Sequence, residues 1–249
     1  MKYAVLTMAD QSRQAHVDMQ LAGLKRWAPN TPHYHAPLGE DRNLARARNH
    51  AATMALEGGA ELLIFLDADC IPGPFLIKRY VEEARQWPGE ILCGPVTYLG
   101  PPGPEGYDLD ELERLTNPHP ARPNLPADES RHGTEEEWNL FWSLSFALSA
   151  ATWLESGGFD ENYVGYGAED TDFAYRLHTQ GRNLRWVGGA HAYHQWHAVS
   201  SPPVEHLDDI LANATRFHTT WDTWPMQGWL TQFQEMGLVD YRAGRWVKR

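Results

Sequence analysis

The most constraining stretch of the chain is Leu62–Leu66 (LLIFL), an unbroken apolar run that ends directly in Asp67-Ala68-Asp69. Five apolar residues in a row leave no polar face for solvent, so the run reads as a strand covered on both sides. Such a strand needs layers above and below it, and the flanking sequence supplies them. Tyr3–Met8 (YAVLTM) and Ile91–Leu99 are further strand-forming runs. Between them, Gln14–Trp27 spaces Val17, Leu21 and Leu24 close to a helical period. Asn43–Leu56 is Ala-rich and periodic, with Gly58-Gly59 as a stop, and Pro72–Trp87 reads as a helix closed before Pro88. Strands alternating with helices predict an α/β fold, a Rossmann-like, mixed but mostly parallel sheet flanked by helices.

The rhythm breaks at Gly100–Gly133, which holds seven prolines and a possible helical turn at Leu109–Leu115; it reads as an ordered excursion or a lid. Trp138–Leu148 then resumes a strand pattern, Thr152–Ser156 a turn or helix, Asp170–Gln180 a helix and Leu184–Val187 a strand. Two amphipathic helices are expected near Val204–Phe217 and Pro225–Met236. The expected organisation is one domain over residues 1–249, with a nucleotide-binding half at 1–100, a catalytic and acceptor half at 134–200, and a helical tail at 201–249.

Several function classes are disfavoured by composition. With 21 basic against 33 acidic residues, the net charge of -12 opposes nucleic acid and anionic membrane. No run approaches the roughly 18 apolar residues of a membrane helix. The N-terminus turns polar too soon for a signal peptide. Only Cys70 and Cys93 are present, so no disulfide scaffold is expected and a reducing cytoplasm fits.

Ligands of open α/β sheets collect beyond the carboxyl ends of strands, where Asp67 and Asp69 stand. Two apart in extended chain, both carboxylates point to one side and call for a cation or a basic partner. Mg²⁺ or Mn²⁺ on a diphosphate suits such a pair. A bare D-x-D also occurs as a solvated loop, but its place after a buried strand favours function. A second acidic group, Glu169, Asp170 and Asp172, follows Gly165-Tyr166-Gly167. Helix capping explains one or two of these acids. It leaves unexplained the glycines and the aromatics Tyr163 and Tyr166, a combination suited to gripping a sugar through its C–H face and its hydroxyls.

The segment Tyr166-Gly167-Ala168-Glu169-Asp170 with Arg176-Leu177 resembles the catalytic region of β-1,4-galactosyltransferases and related family 2 inverting glycosyltransferases of GT-A fold. Ser145–Gly158 resembles the strand and turn before it, Asp67-Ala68-Asp69-x-Ile71-Pro72 the metal-binding motif, and Ala45–Asn49 (ARARN) the helix start near the donor nucleotide. The matches span residues 43–197, with Tyr166 and Ala168 standing where those enzymes carry tryptophan and glycine. The resemblance implies Asp170 as general base and Glu169 as acceptor-orienting acid. It implies Asp69 as metal ligand and Asp67 on the ribose or the metal. It also implies one metal-ligating histidine after the acidic block, for which His194 ranks before His197 and His191. No H-E-x-x-H motif is present, and Gly188-Gly189 favours an extended rather than helical histidine segment.

Arg46, Arg48 and Thr7 complete the donor candidates. Either arginine can reach phosphates or a base edge, or can lie on a solvated helix face. Trp142 and Trp196, out of 11 tryptophans, join Tyr163, Tyr166 and Glu169 as acceptor candidates. His119 and Arg122 sit in a rigid proline frame (NPHPARP) that shapes a pocket of undetermined chemistry. The expected activity is metal-dependent, inverting transfer of a sugar from a nucleotide-diphospho-sugar, a UDP-sugar, to a hydroxyl of a carbohydrate or other acceptor, with Mn²⁺ or Mg²⁺. A sugar nucleotidyltransferase is the alternative, but Thr7–Gln14 lacks the Gly-rich loop it needs. A non-catalytic carbohydrate-binding protein would not need both acidic motifs intact.

Overall fold

In the computed structural model, which describes residues 1–249, the chain opens with β1 (Tyr3–Ala9), α1 (Gln14–Trp27), β2 (His33–Pro37), α2 (Leu44–Glu57) and β3 (Leu62–Leu66). Next come β4 (Cys70–Pro72), α3 (Leu76–Gln86), β5 (Ile91–Cys93) and β6 (Val96–Tyr98). After the proline-rich excursion follow β7 (Ser130–His132), β8 (Ser145–Ser149), α4 (Ala150–Ser156), α5 (Glu169–Thr179), β9 (Leu184–Val187) and β10 (Ala192–His194). The tail is α6 (Leu207–Trp221), α7 (Gln227–Glu235) and a hairpin of β11 (Val239–Arg242) and β12 (Arg245–Lys248).

A seven-stranded sheet has the order β2-β1-β3-β8-β5-β9-β7. The pairings leave five strands pointing one way, with β8 and β7 reversed. β3 sits inside it and is buried throughout, as its sequence requires. Its side chains alternate: Leu63 and Phe65 join a 25-residue cluster on one face, and Leu62, Ile64 and Leu66 an 18-residue cluster on the other. The first face is aromatic, with Phe65 stacked on Phe146 at 4.5 Å and Phe159 on Phe173 at 4.2 Å. Each such side chain contributes about 1.5–3 kcal/mol of burial.

A smaller sheet, β4-β10-β6, sets the register of the chemistry. β10 lies antiparallel to β4 with His194 opposite Cys70, and parallel to β6 with His194 opposite Tyr98. The ladder continues one step, the Gln195 N–H donating to the Asp69 carbonyl at 2.7 Å. This pairing joins residues more than a hundred positions apart.

Where sequence pattern and structure differ, the causes are local. Ile91–Leu99 is two strands in two sheets, because Gly94-Pro95 interrupts the run; a Cβ on Gly94 would lie 1.8 Å from the Ala190 carbonyl. Trp138–Leu148 is not one strand: Glu136–Leu140 is a short 3-10 helix, and only Ser145–Ser149 pairs. Cys70–Pro72 is strand, so the helix after it begins at Leu76. β2 and the C-terminal hairpin were not expected. The excursion packs Tyr107, Leu109 and Leu112 onto Ile71 and Tyr193, and ends as an edge strand of the main sheet. No helix is long and apolar enough to cross a membrane.

Candidate active site

The two acidic motifs meet across one guanidinium. Arg48, on the inner face of α2 and 3% exposed, donates from Nη1 to Glu169 Oε1 at 2.9 Å and from Nη2 to Asp67 Oδ1 at 3.3 Å. Asp67 sits just past the end of β3, and Glu169 begins α5. A single buried cation thereby ties together acids separated by about a hundred residues of chain. Leaving either acid buried beside the other without Arg48 would be costly.

Asp170 is next to Glu169 in the first turn of α5 and partly exposed. One of its oxygens accepts the Thr171 N–H at 2.7 Å. Burial and the adjacent Glu169 charge push its carboxyl up to about 7, against the pull of Arg48. Burial likewise raises Asp67 to about 6, Arg48 opposing and Asp69 adding to the rise. The Tyr166 phenol is pushed up to about 12, by burial and then by Glu169, Asp170, Asp67 and Asp69 together. Four carboxylates of two motifs therefore lie near enough to act on one ring.

Asp69 faces two histidines. His194 Nε2 lies 3.5 Å from Oδ1 and His197 Nε2 3.3 Å from Oδ2. The ligand atoms of the three residues all fall within 4.8 Å of one another, a spacing that fits a divalent ion. Burial alone would raise the Asp69 carboxyl, but the His197 hydrogen bond and the charges of His194 and Arg13 hold it at about 2. One carboxylate and two imidazoles form a donor set for a borderline transition ion rather than an all-oxygen cage. His191 stays outside: its Nε2 meets Thr97 Oγ1 at 2.7 Å, and burial lowers it to about 4.

The loop before α5 turns on residues with positive φ. Gly165 (φ +75) and Gly167 (φ +97) have no room for a Cβ, which would lie 2.3 Å from the Asp209 carboxylate and 2.7 Å from Met226 Sδ. Ala168 is also left-handed, at φ 69, where the resembling enzymes carry glycine, so the site carries backbone strain beside its acids. Tyr166 stacks nearly parallel on His206 at 4.6 Å and on Trp229 at 5.8 Å. The tail thus contributes two rings to the cleft.

Four expected roles need correction. Thr7 is wholly buried, its hydroxyl 2.7 Å from Gln20 Oε1 and 3.0 Å from His33 Nε2, so it cannot touch a donor. Arg46 points outward, two residues from Arg48 on the helix, and pairs with Asp41 and Glu161. Tyr163 is 2% exposed with its hydroxyl on Asp172, a core position rather than a sugar platform. Arg48 serves the carboxylates instead of phosphate. Trp196 is 47% exposed between the two histidines, and Trp142 lies against Arg122 and His119. The sequence reading missed Arg13, whose Nη1 is 3.9 Å from Asp69 Oδ2. Arg13 is the single basic residue of Thr7–Gln14, and that charge is the signal the sequence offers for it. Tyr98, tilted against His194 with ring centroids 4.6 Å apart, carries no local signal in the sequence, because only the β6–β10 pairing brings it there.

Residues 128–198, which carry Glu169, Asp170, His194 and His197, match the family described as the N-terminal domain of galactosyltransferase. This is a glycosyltransferase domain of GT-A fold. The domain is 32% identical over 153 residues to validoxylamine A glucosyltransferase of Streptomyces hygroscopicus subsp. jinggangensis, covering 55% of this chain and 36% of that protein. It is 29% identical over 150 residues to chondroitin synthase of Escherichia coli, covering 52% of this chain and 22% of that one. The glycosyltransferase domain therefore spans only about a fifth to a third of the length of these relatives. Among solved structures, S. aureus TarS 1-349 superposes with a TM-score of 0.57 at 11% identity, over 88% of this chain and 66% of that one, a likeness of fold.

Proposed function

We propose that the domain transfers a sugar, with inversion, from a UDP-sugar to the hydroxyl of a saccharide or similar acceptor, using a divalent ion. The observation that carries this reading is the Arg48 bridge between Asp67 and Glu169, which ties together the two motifs that also carry Asp69 and Asp170. Asp69, His194 and His197 would hold the ion, and two imidazoles among three donors favour Mn²⁺ over Mg²⁺. When bound, such an ion supplies Lewis-acid neutralisation of the leaving diphosphate.

The chain's own residues do the rest. Asp170 accepts the acceptor's proton as that oxygen bonds to the anomeric carbon, while the bond to the diphosphate breaks on the opposite face. Glu169, fixed by Arg48, orients the acceptor. Asp67 keeps one oxygen on Arg48 and offers the other to the donor's ribose. Tyr166 and Trp196 present apolar surface at the rim. The glucosyl and polysaccharide-synthase names of the relatives support a hexose donor and a saccharide acceptor.

The test is UDP release from a panel of UDP-hexoses, with saccharide acceptors supplied. Chelation is expected to stop turnover and Mn²⁺ to restore it; Asp69→Asn is expected to lose about a hundredfold, the upper end of what loss of a partner behind a metal ligand costs. Turnover that persists in chelator, or in Asp69→Asn, contradicts metal dependence.

A further inference from the structure

The proline frame at residues 117–123 is held in place more firmly than a loop of no function requires. The His119 N–H donates to the Val96 carbonyl at 2.8 Å, and the Asn117 N–H to Thr97 Oγ1 at 3.0 Å. Arg122, 3% exposed, donates to the carbonyls of Gly94, Leu140 and Trp142 and lies 4.7 Å under the Trp142 ring. The loop is thus pinned to β6 and to the approach to β8.

His119 is the residue this frame presents. Its Nδ1 accepts the Ala121 N–H at 3.2 Å, so the neutral ring must carry its proton on Nε2. Burial, with the Arg122 charge, lowers its pKa and keeps the ring neutral. Nε2 makes no hydrogen bond within the protein, which leaves one oriented donor facing outward. The ring stands edge-on between Tyr98 at 5.7 Å and Trp142 at 5.0 Å. Tyr98 is 50% exposed and touches His194, so this wall begins at the cation cluster.

We infer that Tyr98, His119 and Trp142 form the subsite for the hexose of the donor, with His119 Nε2–H donating to one sugar hydroxyl and the aromatic faces taking its C–H surface. The inference rests on the donor reading above and deepens it. It assigns the donor's sugar rather than the acceptor's because the wall abuts His194, where a diphosphate would be held, and the sugar is bonded directly to that diphosphate. Aromatic surface with one placed donor is a chemistry for a polyhydroxylated ring. A single neutral hydrogen bond selects among hexoses by about tenfold at most, so His119 tunes the choice of sugar and does not carry catalysis.

The experiment compares binding of UDP and of UDP-hexoses, in Mn²⁺, by calorimetry on wild type, His119→Ala, His119→Gln and Tyr98→Ala. His119→Ala is expected to weaken the preferred UDP-hexose about tenfold while UDP alone stays within twofold. His119→Gln, which keeps an N–H donor, is expected to restore most of the loss, and Tyr98→Ala, which also removes the ring packed on His194, to weaken the UDP-hexose more than UDP. Equal effects on UDP and UDP-hexose, or no effect on either, overturns the subsite. If wild type binds no UDP in Mn²⁺, the donor reading fails and the subsite with it; normal UDP binding with an unaltered hexose preference overturns the subsite alone.

Discussion

Asp170→Asn is expected to lower kcat for transfer by about a hundred- to ten-thousandfold, the range for loss of a positioned general base, with UDP binding in Mn²⁺ nearly intact. The asparagine keeps the shape and still accepts the Thr171 N–H, so the fold is not the cause of the loss. Asp170 also sets the expected pH profile. A base must be deprotonated to accept the acceptor's proton, and burial beside Glu169 pushes this carboxyl up to about 7. Wild-type turnover should rise with pH through about 7 and level off above it, while the residual activity of the asparagine variant should lack that limb. Steady-state rates from pH 5.5 to 9 check both points. Near-wild-type turnover in Asp170→Asn would assign the base elsewhere.

Arg48→Met is expected to destabilise the protein by about 3–5 kcal/mol, because it leaves the buried Glu169 carboxylate without its cation and facing the partly exposed Asp67. For a domain of this size that is a fall in Tm of about 10 °C. The same change should abolish transfer. Two effects separate on adding Asp67→Asn and Glu169→Gln to Arg48→Met: the neutral triple variant should recover most of the stability and none of the activity, since the carboxylates are gone. Thermal denaturation followed by the transfer assay reads both. A Tm within 2 °C of wild type for Arg48→Met would mean that the bridge does not hold the two motifs together.

How much of this was legible in the sequence follows from which signals are local. β3 and its two carboxylates were legible because an apolar run buried on both faces and the acids at its end are contiguous. α1 begins and ends where its periodicity does, and α5 with its acidic first turn was evident from composition and the preceding glycines. Residues whose roles depend on pairing at long range were not legible. Tyr98 meets His194 only through the β6–β10 register, and His206 and Trp229 reach Tyr166 only because the tail helices fold back over the Gly-rich loop. Arg46 and Arg48 look equivalent as letters, yet two steps along a helix put one on solvent and the other at the centre of the site. Thr7 and Tyr163 show the converse: a polar atom at a strand end or beside a motif can be fully satisfied inside the core.

The central claim is that Asp69, His194 and His197 hold the cation of a bound diphosphate in the cleft that Asp170 also lines. Diffraction from crystals grown with UDP and Mn²⁺, measured at the manganese absorption edge, locates that ion directly. The expected result is one anomalous peak within coordination distance of all three side chains, with the UDP diphosphate on it and the Asp170 carboxylate opening into the same cavity. A peak elsewhere, or UDP bound with no ion at this cluster, would contradict the account.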